Sequence, residues 1–313
     1  MKTKIVSCII LFVFFACSSN QETIDNNIEE ETQYNLEGKL LEGVIDENLN
    51  SFEFFIYNES NLPKARILSF KNTNYPTEYN DLKNKPIKSG IIHYYIYGNQ
   101  SNKIIETRIF DNSLASFYYK DGKVYDDNDL DITNVRNMYE KVMHIYTNGI
   151  LSKLIIKDIN EEDYVFQNFH FDANKNIIGI DYDYTQSNNN DFKVDYSYVG
   201  DKVYLLDENG DLKENYYSIS PSLNPYFKLF ESFGLATPLY ASSGRAYPPF
   251  NKFFKKYPEN FLFVSSSTNS YFVNKNRVLE VNKFNYPIKT LHEGPPSSNL
   301  IPRTELIYTY LKE

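Results

Sequence analysis

The sequence predicts a mainly β protein, an antiparallel meander forming a curved sheet or half-open barrel, with two short helices near 224–257. Three observations carry this expectation. Between Tyr164 and Tyr198, aromatic and branched residues alternate with polar ones: Ile178, Ile180, Tyr182 and Tyr184 interleave with Gly179, Asp181 and Asp183. Successive side chains of an extended chain point to opposite faces, so this period of two gives one dry and one wet face. One-sided alternation belongs to antiparallel sheet, because parallel strands are covered on both faces and read as unbroken apolar runs. Secondly, clusters of Asp, Asn and Gly, such as Asp121-Gly122, Asn148-Gly149 and Asp207-Glu208-Asn209-Gly210, recur between the alternating runs as turns do. Thirdly, the period changes from two to 3.6 in a single interval, Pro221 to Pro258.

Taken in order, the ordered chain is expected from about Leu40. A first strand holds Phe52, Phe54 and Ile56 on one parity and Phe55 and Tyr57 on the other, and Arg66 to Phe70 forms a second. Tyr75-Pro76 and Lys85-Pro86 interrupt, since proline removes a ladder donor. Strands follow at Ile91 to Tyr97, Ile104 to Phe110 and Leu114 to Tyr119. Between Asp126 and Gly149 the pattern allows helix or strand; a short helix or loop followed by a strand from about Lys141 fits best, with Ile150 to Lys157 returning. After the Tyr164 to Tyr198 block come Val203 to Leu206 and Leu212 to Ser220.

Asn224-Pro225 then supplies a helix cap and first-turn proline, Tyr226, Leu229, Phe230 and Phe233 make an apolar stripe, and Gly234 ends it. A second helix is expected at Pro249 to Tyr257, with Phe250, Phe253, Phe254 and Tyr257 on one side. Strands resume at Phe261 to Ser265, Tyr271 to Val273, Val278 to Phe284 and Ile288 to Leu291, and Leu306 to Leu311 closes the chain. One domain over 40–313 is preferred, with a split near Asp131 as the alternative.

The N-terminus speaks of location. Lys2 and Lys4 precede an apolar run from Ile5 to Phe15, too short to span a bilayer as a helix, and 1–16 reads as a signal peptide. Phe14-Phe15-Ala16-Cys17 resembles the lipobox of bacterial lipoproteins, with Phe14 where that pattern usually has Leu. The resemblance implies a lipid-attachment site at Cys17, with palmitate among its acyl chains, and hence a membrane partner through an N-terminal anchor. Residues 17–39 read as the lipidated cysteine and a flexible acidic tether, rich in Glu22, Asp25, Glu29, Glu30 and Glu31. That acidic stretch resembles the surface-export signal of lipoproteins in Bacteroides-type bacteria, which implies the outer face of the outer membrane; the periplasm-facing orientation is the alternative. Cys8 leaves with the signal, so no internal disulfide is expected. A net charge of −9, more negative once Lys2 and Lys4 depart, argues against nucleic acid.

Aromatic strand, Asp/Asn/Gly turn and returning strand recur, as in Phe169-His170-Phe171-Asp172 to Ile180 and in Asn285-Tyr286-Pro287-Ile288-Lys289. This is similar to uncharacterised Bacteroides-type outer-membrane lipoproteins with YD-repeat-like β-hairpins, over most of Ile91 to Glu313. The resemblance implies fold and location and no catalytic residues.

No reaction is written in the chain. Asp127 to Asp131, Asp172 to Asn176 and Asp207 to Asp211 mimic calcium loops, but each lacks the glycine at the sixth position, and turn formation explains Asp and Asn there. His93, His144, His170 and His292 show no metal-binding spacing, and no metal or cofactor is expected. His170 beside Asp172 is the one base-and-orienter pair, without a partner nucleophile. Ser242-Ser243-Gly244 does not make a nucleophile elbow. The 28 Tyr and 23 Phe without Trp fill a core or, on a wet face, present rings to sugars or peptides. The reading is a lipid-anchored outer-membrane binding or structural lipoprotein, non-catalytic, with a glycan, peptide or protein as candidate ligand. A carrier of an apolar ligand in the concave sheet face and a surface hydrolase of glycans or peptides stay open.

Overall fold

The computed structural model describes residues 38–46, 51–70, 90–99, 101–111, 116–185, 192–236, 253–265, 270–293 and 304–311. The signal segment, Cys17, the acidic tether up to residue 37, both proline interruptions, Ser242-Ser243-Gly244 and the first residues of the expected second helix lie outside them.

The strands are β1 (Leu41–Asp46), β2 (Ser51–Tyr57), β3 (Pro63–Phe70), β4 (Gly90–Tyr97), β5 (Ile104–Asp111), β6 (Phe117–Lys120), β7 (Lys123–Asp126), β8 (Glu140–Thr147) and β9 (Ile150–Lys157). Then come β10 (Asp163–Phe171), β11 (Ile177–Tyr184), β12 (Phe192–Val199), β13 (Lys202–Leu206), β14 (Leu212–Leu223), β15 (Lys256–Ser265), β16 (Ser270–Val281), β17 (Pro287–Glu293) and β18 (Thr304–Tyr310). All but β6 and β7 form one antiparallel ring in which each strand pairs with its chain neighbours. The ring closes at a seam between β1 and β18, where Leu41 faces Tyr310 and Val44 faces Tyr308. Flanking bonds from Gly38 N to Leu311 O and from Leu311 N to Leu40 O, each 3.0 Å, extend that seam. Near Asp131 the ring is unbroken, because β5 pairs directly with β8, Glu106 opposite Met143. A 3-10 turn at Arg136–Met138 precedes β8.

The dry face points into the ring. Leu151, Leu154, Ile156, Val165, Phe169, Ile180, Tyr182 and Tyr196 are buried there, while Lys153, Asn168, His170, Asp181, Asp183 and Lys193 occupy the outer face. A β-bulge between His170 and Phe171 shifts the parity, so Ile177 is buried and Ile178 is exposed. Burying each such branched or aromatic side chain contributes roughly 1.5–3 kcal/mol.

β2 to β5 differ, being apolar on both faces. Glu53, Phe55, Arg66 and Tyr95 point inward, whereas Phe54, Ile67, Ile92, Tyr94 and Phe110 point outward and are covered by the β6–β7 hairpin through Phe117, Tyr119 and Val124. That second layer is the physical reason for the mixed parity of the Phe52 to Tyr57 run.

The interior is filled by helix α1 (Pro225–Phe233) and by Phe253 and Phe254. Asn224 Oδ1 accepts from Tyr226 N at 3.1 Å, and Gly234 closes the helix at φ 71°. Phe227 and Phe230 pack against the β8–β13 wall, and Leu229 and Phe233 against β1, β2 and β18. Phe169, Phe230 and Phe253 form a ring cluster with centroids 5.3–6.1 Å apart, and Phe254 meets Tyr196 and Tyr217 edge-on at 5.6 and 5.2 Å. Where a second helix is expected, Lys256 and Tyr257 instead begin β15. Lys256 pairs with Leu223 and draws the chain into extended pairing at once, although Phe253 and Phe254 do serve the plug.

Candidate functional site

The plug is tied to the wall at both ends. Toward its N-terminus the Tyr226 hydroxyl donates to Glu53 Oε2 at 2.6 Å, and Glu53 Oε1 accepts from Arg66 Nε in a buried ion pair. At its C-terminus, where four carbonyls lack helical partners, Lys103 Nζ donates to Glu231 O at 2.6 Å and Ser232 O at 3.1 Å. His144 Nδ1 lies 3.2 Å from Gly234 O, which can only accept, so the ring proton sits on Nδ1 and Nε2 accepts from the Thr107 hydroxyl at 2.9 Å. Burial holds His144 neutral and pushes its pKa down to about 3, the Gly234 bond opposing only in part. These polar groups are structural ties between plug and wall, and a small cavity of about 170 Å³ opens beside them between Lys103, Gly149, Phe171, Phe230 and Glu231.

The acidic clusters are turns. Asp172 Oδ1 accepts from Asn174 N at 2.9 Å and Asn176 N at 2.8 Å, and Asp207 Oδ1 from Asn209 N and Asp211 N, each at 2.9 Å. The same five-residue turn recurs at Asn58, Asp126, Asp158 and Asn282, in each case with a left-handed residue at its fourth position: Asn61, Asp129, Glu161 and Asn285. Asp131, the last residue of the Asp127 to Asp131 cluster, is held by Lys123 Nζ at 2.7 Å and by the Thr133 hydroxyl and amide, which pull its carboxyl down to about 2. Among the described residues no group of His, Cys, Asp and Glu is arranged to hold a metal ion.

The histidines do not converge. His93 and His144 are buried, and His292 lies within β17. His170 Nε2 does meet a carboxylate at 2.6 Å, but it is Asp181 of the neighbouring strand. Asp172 instead turns its oxygens to its own loop. Nearby, Lys193 Nζ pairs with Asp195 at 3.1 Å. An Asp195 oxygen lies 2.6 Å from where a Cβ on Gly179 would sit, so glycine at that position lets the Asp195 carboxylate lie across the strand beside His170.

Most described tyrosines are buried or half-buried. On the outer face Tyr204 and Tyr216 lie 5.3 Å apart, and Lys202 Nζ stands 4.4 Å over Tyr216. The outer surface formed by the described residues carries a groove of about 670 Å³ between the β2–β3 turn and the tip of the β6–β7 hairpin. Asn58, Glu59, Ser60 and Lys64 form one side and Tyr119, Asp121 and Gly122 the other. Lys64 Nζ lies 4.7 Å over the Tyr94 ring, and the Tyr57 hydroxyl donates to Leu41 O at 2.5 Å. Left-handed backbone at Asn61, Asp121 and Gly122 shapes both rims. Sequence reasoning missed this site because its two turns are brought together only by the hairpin folding back over β2 to β5; the sole signal was a pair of turn motifs.

No family model and no curated protein matches the chain. Among solved structures, it is similar to a porin-like protein from Bacteroides uniformis, 8% identical, covering 88% of this chain and 98% of that one with a TM-score of 0.46. It is also similar to a porin-like protein from Bacteroides vulgatus, 8% identical, covering 87% and 99% with a TM-score of 0.30. A third likeness is to TcdB2-TccC3-TEV, 8% identical, covering 79% of this chain and 14% of that one with a TM-score of 0.19. Among the described residues no helix is long and apolar enough to cross a membrane. A bilayer-spanning barrel needs an apolar band on its outer face. Here Lys153, Asn168, Asp181, Asp183 and Lys193 lie on that face and the apolar side is turned inward.

Proposed function

We propose that this chain is a lipid-anchored outer-membrane lipoprotein, attached through Cys17, whose barrel stands in water and binds a hydroxyl-rich ligand of the glycan class without transforming it. The observation that carries the reading is the groove beside the β6–β7 hairpin, on a barrel whose dry face is inside and filled. Its amide, hydroxyl, carboxylate and ammonium groups match the alternating donors and acceptors of a sugar, and its volume exceeds that of a disaccharide. An apolar carrier would need its cavity in the concave face, where Phe169, Phe230, Phe253 and Phe254 pack against one another.

Two measurements test the two halves. Cells fed labelled palmitate should label the wild-type chain and leave Cys17→Ala unlabelled and released from the membrane fraction; a Cys17→Ala chain that stays membrane-bound counts against the anchor. Titration with a panel of soluble oligosaccharides should find a ligand whose affinity falls at least tenfold in Glu59→Gln and Asp121→Asn. Equal binding by these variants sinks the groove. A hydrolase is favoured only by the presence of Glu59 and Asp121 on facing rims, and release of new reducing ends from a bound glycan would select it.

A further inference from the structure

The two ends of the barrel carry opposite charge. The β2–β3, β4–β5, β8–β9, β10–β11, β12–β13 and β16–β17 turns and α1 all lie at one end, as the bonds from Lys103 to Ser232 O, from Asn285 Nδ2 to Pro221 O and from Lys255 to Asn174 O show. Among the described residues at this plugged end Lys39, Lys175, Lys228, Lys255, Lys256 and Lys283 stand against Glu59, Asp121, Asp172, Asp201 and Glu231, with Asp172 bonded to its own turn and Lys255 and Lys256 to backbone carbonyls. Lys39 and Lys283 both lie 4.9 Å over the ring of Phe284, a half-buried residue of the β16–β17 turn. Lys103, half-buried on the helix carbonyls, has its pKa lowered by burial, with Lys175 and Lys228 adding like-charge repulsion. Among the described residues at the opposite end, Asp158, Glu161, Glu162, Asp163, Asp207, Glu208 and Asp211 stand against Arg136, Lys141 and Lys157. This polarity stands out in a chain whose net charge is −9.

The described chain enters the barrel at the lysine-bearing end. Gly38 is bonded there to Leu311 and, through its carbonyl, to Asn282 Nδ2 at 2.6 Å. Cys17 lies only about twenty residues earlier, a length that as a coil spans roughly 25 Å.

The geometry points to the side of the plugged end formed by α1 and the β10–β11 and β16–β17 turns as a docking surface for a bilayer of anionic phosphate headgroups, with the acidic end turned away and the β2–β3 rim of the groove left free. The inference rests on Cys17 being the anchor only for its setting; the surface itself is a property of the folded barrel. A lysine close to an anionic leaflet gains about fivefold in partitioning. The attraction fades beyond a Debye length of about 8 Å, so a tether of roughly 25 Å lets the end reach the surface and the lysines hold it there by contact with the headgroups.

The test uses the full mature-length chain carrying Cys17→Ala, so that no lipid contributes. It should co-sediment with vesicles of phosphatidylglycerol and phosphatidylethanolamine, leave phosphatidylcholine vesicles unbound, and detach in 0.5 M salt. Combined Lys175→Gln, Lys228→Gln, Lys256→Gln and Lys283→Gln should weaken binding at least a hundredfold, while Glu162→Gln with Glu208→Gln at the other end should not weaken it. Unchanged near-UV dichroism verifies that the variants are folded. Failure of the parent chain to bind anionic vesicles, or binding indifferent to the four lysines, overturns the docking surface whatever the palmitate labelling shows. Binding that emerges only after Glu29, Glu30 and Glu31 are neutralised assigns the lysines to the chain's own N-terminal segment and overturns it too. Absence of palmitate on Cys17, with lysine-dependent vesicle binding intact, removes the anchor alone.

Discussion

The hydroxyl of Tyr226, at the start of α1, donates to Glu53 Oε2 across 173 residues of sequence, and Glu53 in turn binds the guanidinium of Arg66. One carboxylate thus joins the plug to the wall in the buried interior, where Arg66 is 2% exposed. Buried pairs of this kind seldom add much stability against an apolar replacement, but losing one partner is costly. Tyr226→Phe should cost about 1.5 kcal/mol, one hydrogen bond to a charged group. Glu53→Ala should cost about 3–5 kcal/mol because the Arg66 charge stays buried without its carboxylate. Urea unfolding of the two variants and of Glu53→Ala with Arg66→Met checks this; the double variant should recover part of the loss.

His144 makes stability depend on pH in a defined direction. Its folded pKa of about 3 lies below the ordinary histidine value, so between about pH 6.5 and 3 the unfolded chain takes up a proton that the folded chain refuses. Stability is full above pH 6.5 and falls on acidification, by about 1.4 kcal/mol per pH unit for one such proton. His292, lowered to about 4 by burial, adds to the slope down to that pH. Unfolding midpoints at pH 7, 6 and 5 should converge with a shallower slope in His144→Gln, whatever its stability at pH 7.

The turn at Asp172 is built by its own side chain and not by a cation. Asp172→Ala removes two acceptors for backbone amides and should cost about 1 kcal/mol, as loss of a helix cap does. Lys175, at φ 60°, is a non-glycine residue in the left-handed region, and Lys175→Gly should stabilise by about 0.5 kcal/mol. Calcium or a chelator should leave the thermal midpoint of the wild-type chain unmoved.

Gly234 is required twice over. Its φ of 71° favours glycine, and a Cβ there would run into the Tyr146 hydroxyl with ring carbons at 2.8 Å. Gly234→Ala should therefore cost about 2–4 kcal/mol, more than the left-handed backbone alone explains. The combination with Tyr146→Leu, which removes the ring carbons as well as the hydroxyl, should remain destabilised through backbone conformation, and a double-mutant cycle in urea separates the contributions.

The outward charges predict behaviour toward water. Mature-length chain with Cys17→Ala should refold without detergent and give no single-channel steps in a planar bilayer, because Lys153, Asp181, Asp183 and Lys193 would have to enter the hydrocarbon.

Much of the local structure was legible in the chain itself. Period-two alternation marks β11 and β12, the Asp or Asn that opens each five-residue turn marks the hairpins, and Asn224-Pro225 with Gly234 marks α1, because each of these is decided by neighbours within a few residues. What the alternation left open was direction. It defines a dry and a wet face but not that the meander closes between Leu41 and Tyr310 with the dry face inward, since closure is a contact between the two ends of the fold. Nor does it reveal that β2 to β5 need a second layer, which the Phe52 to Tyr57 run hinted at only by being apolar on both parities. Pairings such as Tyr226 with Glu53, His170 with Asp181 rather than Asp172, and the facing turns of Asn58 and Asp121 exist only after register, bulge and closure are set. The charge polarity of the two ends is of the same kind: every lysine and acid is in the sequence, but only antiparallel alternation of the strands sorts them to opposite ends of one barrel.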